Sequence, residues 1–313
     1  MYQNEQTAIS EVQDDLQQLL EFTVSNTPLF VLTGAGCSTD SGIPDYRDHN
    51  GNWKNSQPVQ YQEFLAHESV RRRYWARSMI GWPRIHAARP NPAHRALARL
   101  ESAGIIHQLV TQNVDGLHSR AGSRRVIDLH GNLDYVICIN CHHRTPRKEL
   151  QELLLHDNSR FAAGDYQAAP DGDAVPDITD YDSFKAPVCD ACKGILKPDV
   201  VFFGESVPRA RIELAVQKLS ESKAIMVIGS SLMVFSGYRF VREARKYNMP
   251  AAVINMGKTR ADKLLTLKCE LPCAGVLDIL SKQLAGNKTV ESKTWPNVET
   301  EYRTEDRAVN RHK

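Results

Sequence analysis

Short, unbroken apolar runs recur along the chain, and segments of longer period separate them. Leu29-Phe30-Val31-Leu32 is one such run, and it ends at a glycine turn. Others are Ile105-Ile106-His107-Gln108-Leu109-Val110, Val200-Val201-Phe202-Phe203, Ile225-Met226-Val227-Ile228 and Ala251-Ala252-Val253-Ile254. Runs of this length read as strands buried on both faces. Ahead of the first, Val12, Leu16, Leu19, Leu20 and Val24 fall at helical spacing over residues 11–25, and Pro28 ends the pattern. Helical patterns also cover His94 to Glu101, Arg209 to Leu219 and Gly237 to Tyr247. Buried strands alternating with helices predict an α/β fold with a parallel sheet covered on both faces.

Residues 132–197 interrupt this alternation. They hold two cysteine pairs and a loop-like stretch, 157–187, with seven acids against two bases, read as a mobile, solvated insertion. From about 287 the chain is polar and aperiodic, and disorder is expected there. The predicted organisation is a sheet domain over 11–131 and 198–286, a small metal-binding module over 132–197, and a tail over 287–313. No internal repeat is visible.

Composition narrows the function classes. The chain has 313 residues, 42% of them hydrophobic and 24% charged, as a soluble globular protein does. A net charge of +2 gives no electrostatic case for nucleic acid or an acidic membrane. No apolar stretch approaches the ~18 residues of a membrane span. The polar start, Met1-Tyr2-Gln3-Asn4-Glu5-Gln6, resembles neither a secretory signal nor a transit peptide, so a cytoplasmic location is expected. In a reducing compartment, paired C-x-x-C reads as a metal site before a disulfide.

Cys138-x-x-Cys141 and Cys189-x-x-Cys192 are such a pair of pairs. Two tight turns with two thiolates each close a four-coordinate zinc site, and four thiolates leave no position for water or substrate. The zinc is therefore expected to be structural. Cys37, Cys269 and Cys273 have no partner pattern. Thr33-Gly34-Ala35-Gly36 closes the first strand, and small residues there let a backbone approach a pyrophosphate. Thr39 stands where the third glycine of G-x-G-x-x-G belongs, so a plain tight turn explains the segment equally well by itself. Ile43-Pro44-Asp45-Tyr46-Arg47 follows with a rigid turn, an aromatic and a cation. Polar residues then gather at four strand ends: Thr111-Gln112-Asn113-Val114-Asp115, Leu129-His130-Gly131, Gly229-Ser230-Ser231 and Asn255. Open parallel sheets bind ligands on that edge. A neutral histidine there can act as a general base, although singly His130 also fits a structural role, and Asn113 and Asp115 also fit caps.

These motifs, in this order and together with Phe202-Phe203-Gly204-Glu205, resemble the sirtuins, NAD-dependent protein-lysine deacylases, over roughly residues 15–285. Ile43-Pro44-Asp45-Tyr46-Arg47, Arg73-Tyr74-Trp75-Ala76-Arg77 and Pro170-Asp171-Gly172-Asp173 resemble class II, the branch containing the fourth human, mitochondrial sirtuin, and the missing transit peptide points to a bacterial member. The resemblance implies a Rossmann-like large domain with a smaller zinc-binding domain inserted, NAD as cofactor, one structural zinc per chain, and acylated lysine of proteins as substrate. It implies that NAD phosphates lie near Gly34, Ala35, Gly36 and Ser230, with Gly229 and Ser231 beside them. Asp45, Tyr46 and Arg47 would cover the cofactor, Tyr46 standing where many members carry Phe. Gln112, Asn113 and Asp115 would line the nicotinamide side, and Asn255, Met256, Gly257 and Cys273 the adenosine side. Val201, Phe202, Phe203, Gly204 and Glu205 would meet the substrate peptide. In the implied mechanism the acyl oxygen attacks the ribose carbon as nicotinamide leaves, with Asn113 and His130 as the catalytic residues. His130 then acts as base on a ribose hydroxyl, and 2′-O-acyl-ADP-ribose is released.

Two readings remain beside it: mono-ADP-ribosyl transfer from NAD, and a non-catalytic NAD or ADP-ribose binding module. Tyr74 and Arg77 resemble the Tyr-x-x-Arg pair by which one branch holds an acidic acyl group, and Arg suits a carboxylate. The same residues fit a helix with a solvated face.

Overall fold

The computed structural model describes residues 2–54, 58–161, 166–168, 174–176 and 181–286. The expectation for the acidic stretch falls partly, and that for the tail wholly, outside those residues. Six strands form one parallel sheet: β1 (Leu29–Thr33), β2 (Ile106–Thr111), β3 (Val126–Asp128) and, later in the chain, β9 (Ala224–Ile228), β10 (Ala251–Ile254) and β11 (Leu267–Cys269), in the order β11-β10-β9-β1-β2-β3. The strand order reverses between β1 and β9, so the sheet has its switch point there. Every residue of β1, β9 and β10 is buried, as their unbroken apolar runs require. Helices α1 (Tyr2–Ser25), α4 (Pro92–Ser102) and α9 (Cys273–Ala285) cover one face, while α7 (Arg209–Ser220) and α8 (Phe235–Lys246) cover the other. α4 starts where Asn91 accepts from the amides of Ala93 and His94, with Pro92 in its first turn.

The remaining elements build a second, smaller unit. They are α2 (Tyr61–Ala66), α3 (Glu68–Ala87), β4 (Gly131–Cys138), β5 (Arg144–Pro146), α6 (Arg147–Asp157) and β8 (Leu196–Val200). β5, β4 and β8 form an antiparallel sheet. β6 (Tyr166–Ala168) pairs with β7 (Ala174–Pro176). A short helix, α5 (Leu117–Arg120), follows β2 in the large unit.

Two expectations need correction. The run Val200 to Phe203 is not a strand of the parallel sheet. It leaves the end of β8, which is antiparallel to β4, and its apolar side chains face the small unit's core and the cavity described below. The packing of the small unit also begins earlier than the cysteine module: Phe64, Trp75, Met79 and Trp82 share one core with Leu133, Val136, Leu196 and Phe202. α3 turns Tyr74, Trp75 and Trp82 inward, and Trp82 donates its indole N–H to the Leu133 carbonyl at 3.1 Å.

Candidate active site

The carboxyl ends of β1, β2, β9 and β10 open into a cavity of about 960 Å³ between the two units. The glycine turn forms one end. Gly34 N–H donates to the Ile228 carbonyl and Gly36 N–H to the Gly229 carbonyl, at 3.0 and 2.9 Å. A Cβ on Gly34 would stand 2.7 Å from Ser230 Cβ and 2.8 Å from the Gly229 carbonyl. Bare backbone is thus the only surface that fits where β1 and β9 end side by side. A turn of this kind, lined by small residues, lets a phosphate come close to the strand ends.

Beside it, Gln112 Nε2 donates to Ser230 Oγ at 2.9 Å, and Asn113 Nδ2 donates to the Gly34 carbonyl at 3.0 Å and to Ser38 Oγ at 3.1 Å. Ser38 in turn donates to Asp115 Oδ2 at 2.7 Å, and the Leu117 amide donates to Oδ1. Asp115 does not border the main cavity. It borders a side recess of about 30 Å³ together with Ala35, Ser38, Ile43 and Asn113. Burial raises the Asp115 carboxyl above its ordinary value, against the two hydrogen bonds that hold it down.

His130 stands at the seam of the units, after β3 and directly before β4. A Cβ at the next position, Gly131 (φ +84°), would collide with the Asp199 carbonyl at 2.1 Å, so glycine is required for the chain to turn there. His130 Nδ1 lies 2.9 Å from the Gln112 carbonyl oxygen. That oxygen can only accept, so Nδ1 carries the proton and Nε2 the lone pair. Nε2 is 2.7 Å from Ser236 Oγ, in the first turn of α8, and both residues border the cavity. Burial pushes the His130 pKa down to about 4, the Gln112 carbonyl opposes this, and Arg211 adds to it. At neutral pH the ring is an uncharged acceptor aimed into the cavity.

Asp45, Tyr46 and Arg47 line the cavity on a loop braced from within: Arg47 donates to the Gly51 carbonyl at 2.6 Å and lies 4.0 Å above the Trp53 ring, and Asp45 pairs with Lys54. Tyr46, Trp53 and Phe203 meet edge-to-face. On the opposite wall lie Val201, Phe202, Phe203, Gly204 and Glu205. The Glu205 carboxylate is turned onto its own loop, accepting from the Phe202 amide at 2.8 Å and pairing with Lys197 at 3.0 Å. Ser231, Asn255, Met256 and Cys273 border the far end, where the Cys273 thiol donates to the Gly36 carbonyl at 3.4 Å. Gly257 does not line the cavity. It packs on the backbone of His49, where a Cβ would lie 2.4 Å from the carbonyl oxygen.

Tyr74 lies in the wall, 5% exposed, with its ring against Phe64 and Phe202. Arg77, three residues on along α3, is half-buried and not among the lining residues. Sequence reasoning missed Ser236. It is 106 residues from His130, and a lone serine at a helix start has no pattern of its own.

The four cysteines come together at the tip of the small unit, their sulfurs all within 4.8 Å of one another. Cys138 and Cys192 are 3.5 Å apart, and Cys141 and Cys189 3.6 Å. Four thiolates on one zinc ion, each at ~2.3 Å, would lie about 3.8 Å apart. The two turns repeat one conformation. In each, the residue after the second cysteine is left-handed, His142 at φ 58° and Lys193 at φ 59°, and its amide donates to the first cysteine's carbonyl. The matched knuckles and the all-thiolate donor set fit one closed zinc site.

A model of the Sir2 family matches residues 34–236. An NAD-dependent protein deacetylase 2 of Bradyrhizobium diazoefficiens is 57% identical over 84% of this chain and 97% of its own length. An NAD-dependent protein deacetylase of Xanthomonas campestris pv. campestris is 56% identical over 84% of this chain and 90% of its own. Among solved structures, a Sir2–p53 peptide–NAD+ complex superposes with a TM-score of 0.68 at 28% identity, covering 86% of this chain and 98% of that one. A structure on the mechanism and regulation of Sir2 enzymes gives 0.69 at 30%, covering 87% and 98%. With a family model over more than half of its length and relatives more than half identical along most of it, the chain belongs to the Sir2 family.

Proposed function

We propose that this chain is an NAD-dependent protein-lysine deacylase, that it is a class II member similar to the fourth human, mitochondrial sirtuin, and that acetyl-lysine is its principal substrate. The observation that carries the reading is His130. It is an imidazole held neutral, with its lone pair facing a cavity whose other end is a cradle of bare backbone. A binding module needs no base at that point. The relatives named as protein deacetylases and the solved complex with NAD+ and a peptide support the same reading.

The cavity fits NAD on its own evidence, because its end at the strand termini is lined by Gly34, Ala35, Gly36, Gly229 and Ser230, packed too closely on one another at Gly34 and Gly36 for any side chain, and small residues there let a pyrophosphate approach the backbone. Gly34, Ala35, Gly36 and Ser230 would hold the phosphates, and Asn255, Met256 and Cys273 the adenosine end. Gln112, Asn113 and the recess beside Asp115 would hold the nicotinamide. When bound, NAD supplies an electrophilic ribose carbon and a leaving group. Tyr46 and Phe203 close the cavity to water, and His130 takes a proton from a hydroxyl at Nε2. Tyr74 places an aromatic wall beside the acyl end. The zinc ligands are proposed as Cys138, Cys141, Cys189 and Cys192, with no part in the chemistry.

The experiment is a panel of acetyl-, longer-acyl and acidic-acyl lysine peptides incubated with NAD and followed by mass spectrometry. Equimolar nicotinamide, amine and acyl-ADP-ribose are expected, fastest with acetyl. Transfer of ADP-ribose to the peptide, or NAD binding without turnover, would replace the reading.

A further inference from the structure

The hydrogen bond on the working nitrogen of His130 comes from outside the motifs that carry the resemblance. Ser236 lies in the first turn of α8, borders the cavity and reaches His130 Nε2 at 2.7 Å. The ring is therefore held on both nitrogens, by the Gln112 carbonyl at Nδ1 and by the Ser236 hydroxyl at Nε2. Because Nδ1 is protonated, the serine donates.

The local sequence makes this contact possible. Gly237, the next residue, lies so close to Gln112 that a Cβ there would be 2.4 Å from Oε1. Glycine lets α8 begin against the end of β2 with the Gln112 amide left in place, and the neighbouring serine lies at the imidazole. The same Gln112 thus touches both ends of the arrangement, its carbonyl holding Nδ1 and its side chain meeting Gly237.

We propose that Ser236 is a positioning residue for His130, whose hydroxyl fixes the direction of Nε2 into the cavity and keeps water from that nitrogen. The proposal rests on the deacylase reading for its kinetic consequence, but not for its structural one. A substrate hydroxyl can reach Nε2 directly or through Ser236 Oγ. By either route the O–H bond of the arriving alcohol breaks, an N–H bond forms at Nε2, and the serine ends unchanged. A loose ring would present the lone pair in the right place for only part of the time.

The test compares Ser236→Ala with Ser236→Thr, which keeps the hydroxyl. In protein without NAD, ¹⁵N NMR of the imidazoles should show wild-type His130 as the Nδ1–H tautomer down to about pH 4. In Ser236→Ala, water reaches Nε2 and the titration should rise toward the ordinary 6.5, while Ser236→Thr stays with wild type. Of the charged groups on the surrounding elements, Arg211 of α7 acts on the ring, Arg209 and Glu213 of α7 and Arg239 of α8 border the same cavity, and Asp128 of β3 accepts from Asn132 Nδ2; both variants retain them all. With NAD and an acetyl-lysine peptide, Ser236→Ala should lose about tenfold in kcat, with KM for NAD and the melting temperature little changed. The threonine variant should recover the rate. An unchanged titration in Ser236→Ala, with or without loss of rate, would overturn the proposal, since any loss would then be structural. If wild-type protein turns over no acyl-peptide, the deacylase reading fails, and the NMR comparison still decides the role of Ser236.

Discussion

In the parallel-sheet unit, β1, β9 and β10 are buried at every position, and what surrounds them is mostly aliphatic: Leu97, Leu100, Leu277 and Leu280 with Phe22 on one face, Leu219, Val241 and Ala244 with Phe240 on the other. In the small unit the core is aromatic and includes a charge. Arg147 is 1% exposed, 4.9 Å from the Trp82 ring centroid and 5.6 Å from that of Trp75. Burial lowers its pKa to about 10. The antiparallel sheet there has only three strands, and its far end is a knot of four thiols. One unit is stabilised by hydrocarbon removed from water. The other adds to its own buried core a four-cysteine site that fits a metal, and cation–π contacts. Stability in this molecule is therefore unevenly placed, and the cavity lies where the two kinds meet.

The largest effect should follow from removing the metal. Apparent binding energies of structural zinc run to ~10–16 kcal/mol, so chelation or Cys138→Ser should unfold the small unit and abolish activity. Hydrogen exchange would show the amides of β4, β5 and β8 losing protection while those of β1, β9 and β10 keep it. Simultaneous loss in both sheets would break the comparison, by showing one cooperative unit.

His130→Ala separates chemistry from stability at the seam. Turnover should fall ~10²–10⁴-fold, with the melting temperature and zinc content unchanged. Near-normal turnover would remove His130 as the base.

Acid should act next, and on the large unit. His94 and His130 both have folded pKa values of about 4, chiefly through burial, and His118 is lowered in the same direction. Between pH 4 and 6.5 the unfolded chain binds protons that the folded one does not. Stability is therefore full above about pH 6.5 and falls as pH drops toward 4, at up to about 1.4 kcal/mol per pH unit for each group. Urea titrations at pH 7.5 and 5.5 should differ by on the order of a few kcal/mol. Replacing His94 with Gln should flatten the difference, and an unchanged slope would contradict its burial as a neutral ring.

The smallest effect concerns Arg77. Since it does not border the cavity, Arg77→Met should change kcat/KM for acetyl- and succinyl-lysine peptides alike. A selective loss on the acidic substrate of about tenfold or more would restore the acyl-carboxylate role.

Much of this arrangement is legible in the sequence, and for stated reasons. Central parallel strands must be apolar throughout, so Leu29–Leu32, Ile225–Ile228 and Ala251–Ile254 could be read directly. A four-thiolate site needs two tight turns, so C-x-x-C spacing reveals it at a separation of 47 intervening residues. The strands β3 and β11 have three residues each, too few to show a period. β8 reads Leu-Lys-Pro-Asp-Val, which carries no alternation, because Lys197 turns inward to Glu205. α3 is legible only around Tyr74 and Arg77, because its buried face mixes Tyr74, Trp75, Met79 and Trp82 with Ala76, Ser78 and Gly81, and arginines fall between them in the sequence. At the site, Gly34, Gly36 and His130 are visible because backbone geometry limits what can stand there. Ser236 is not, because its role arises from a helix meeting a strand end far away in the chain.

The crossing between the units at His130 has a mechanical side. Gly131 pairs with Val200, and the Val201 amide donates to the His130 carbonyl at 2.7 Å. Two chain segments thus pass from one unit to the other side by side, tied by a hydrogen bond at the base itself. Such a paired crossing is a pivot, and a point on a pivot travels least. Rotation of the small unit about it would swing the peptide-side wall and the zinc tip through long arcs, while the imidazole stayed nearly fixed over the strand ends.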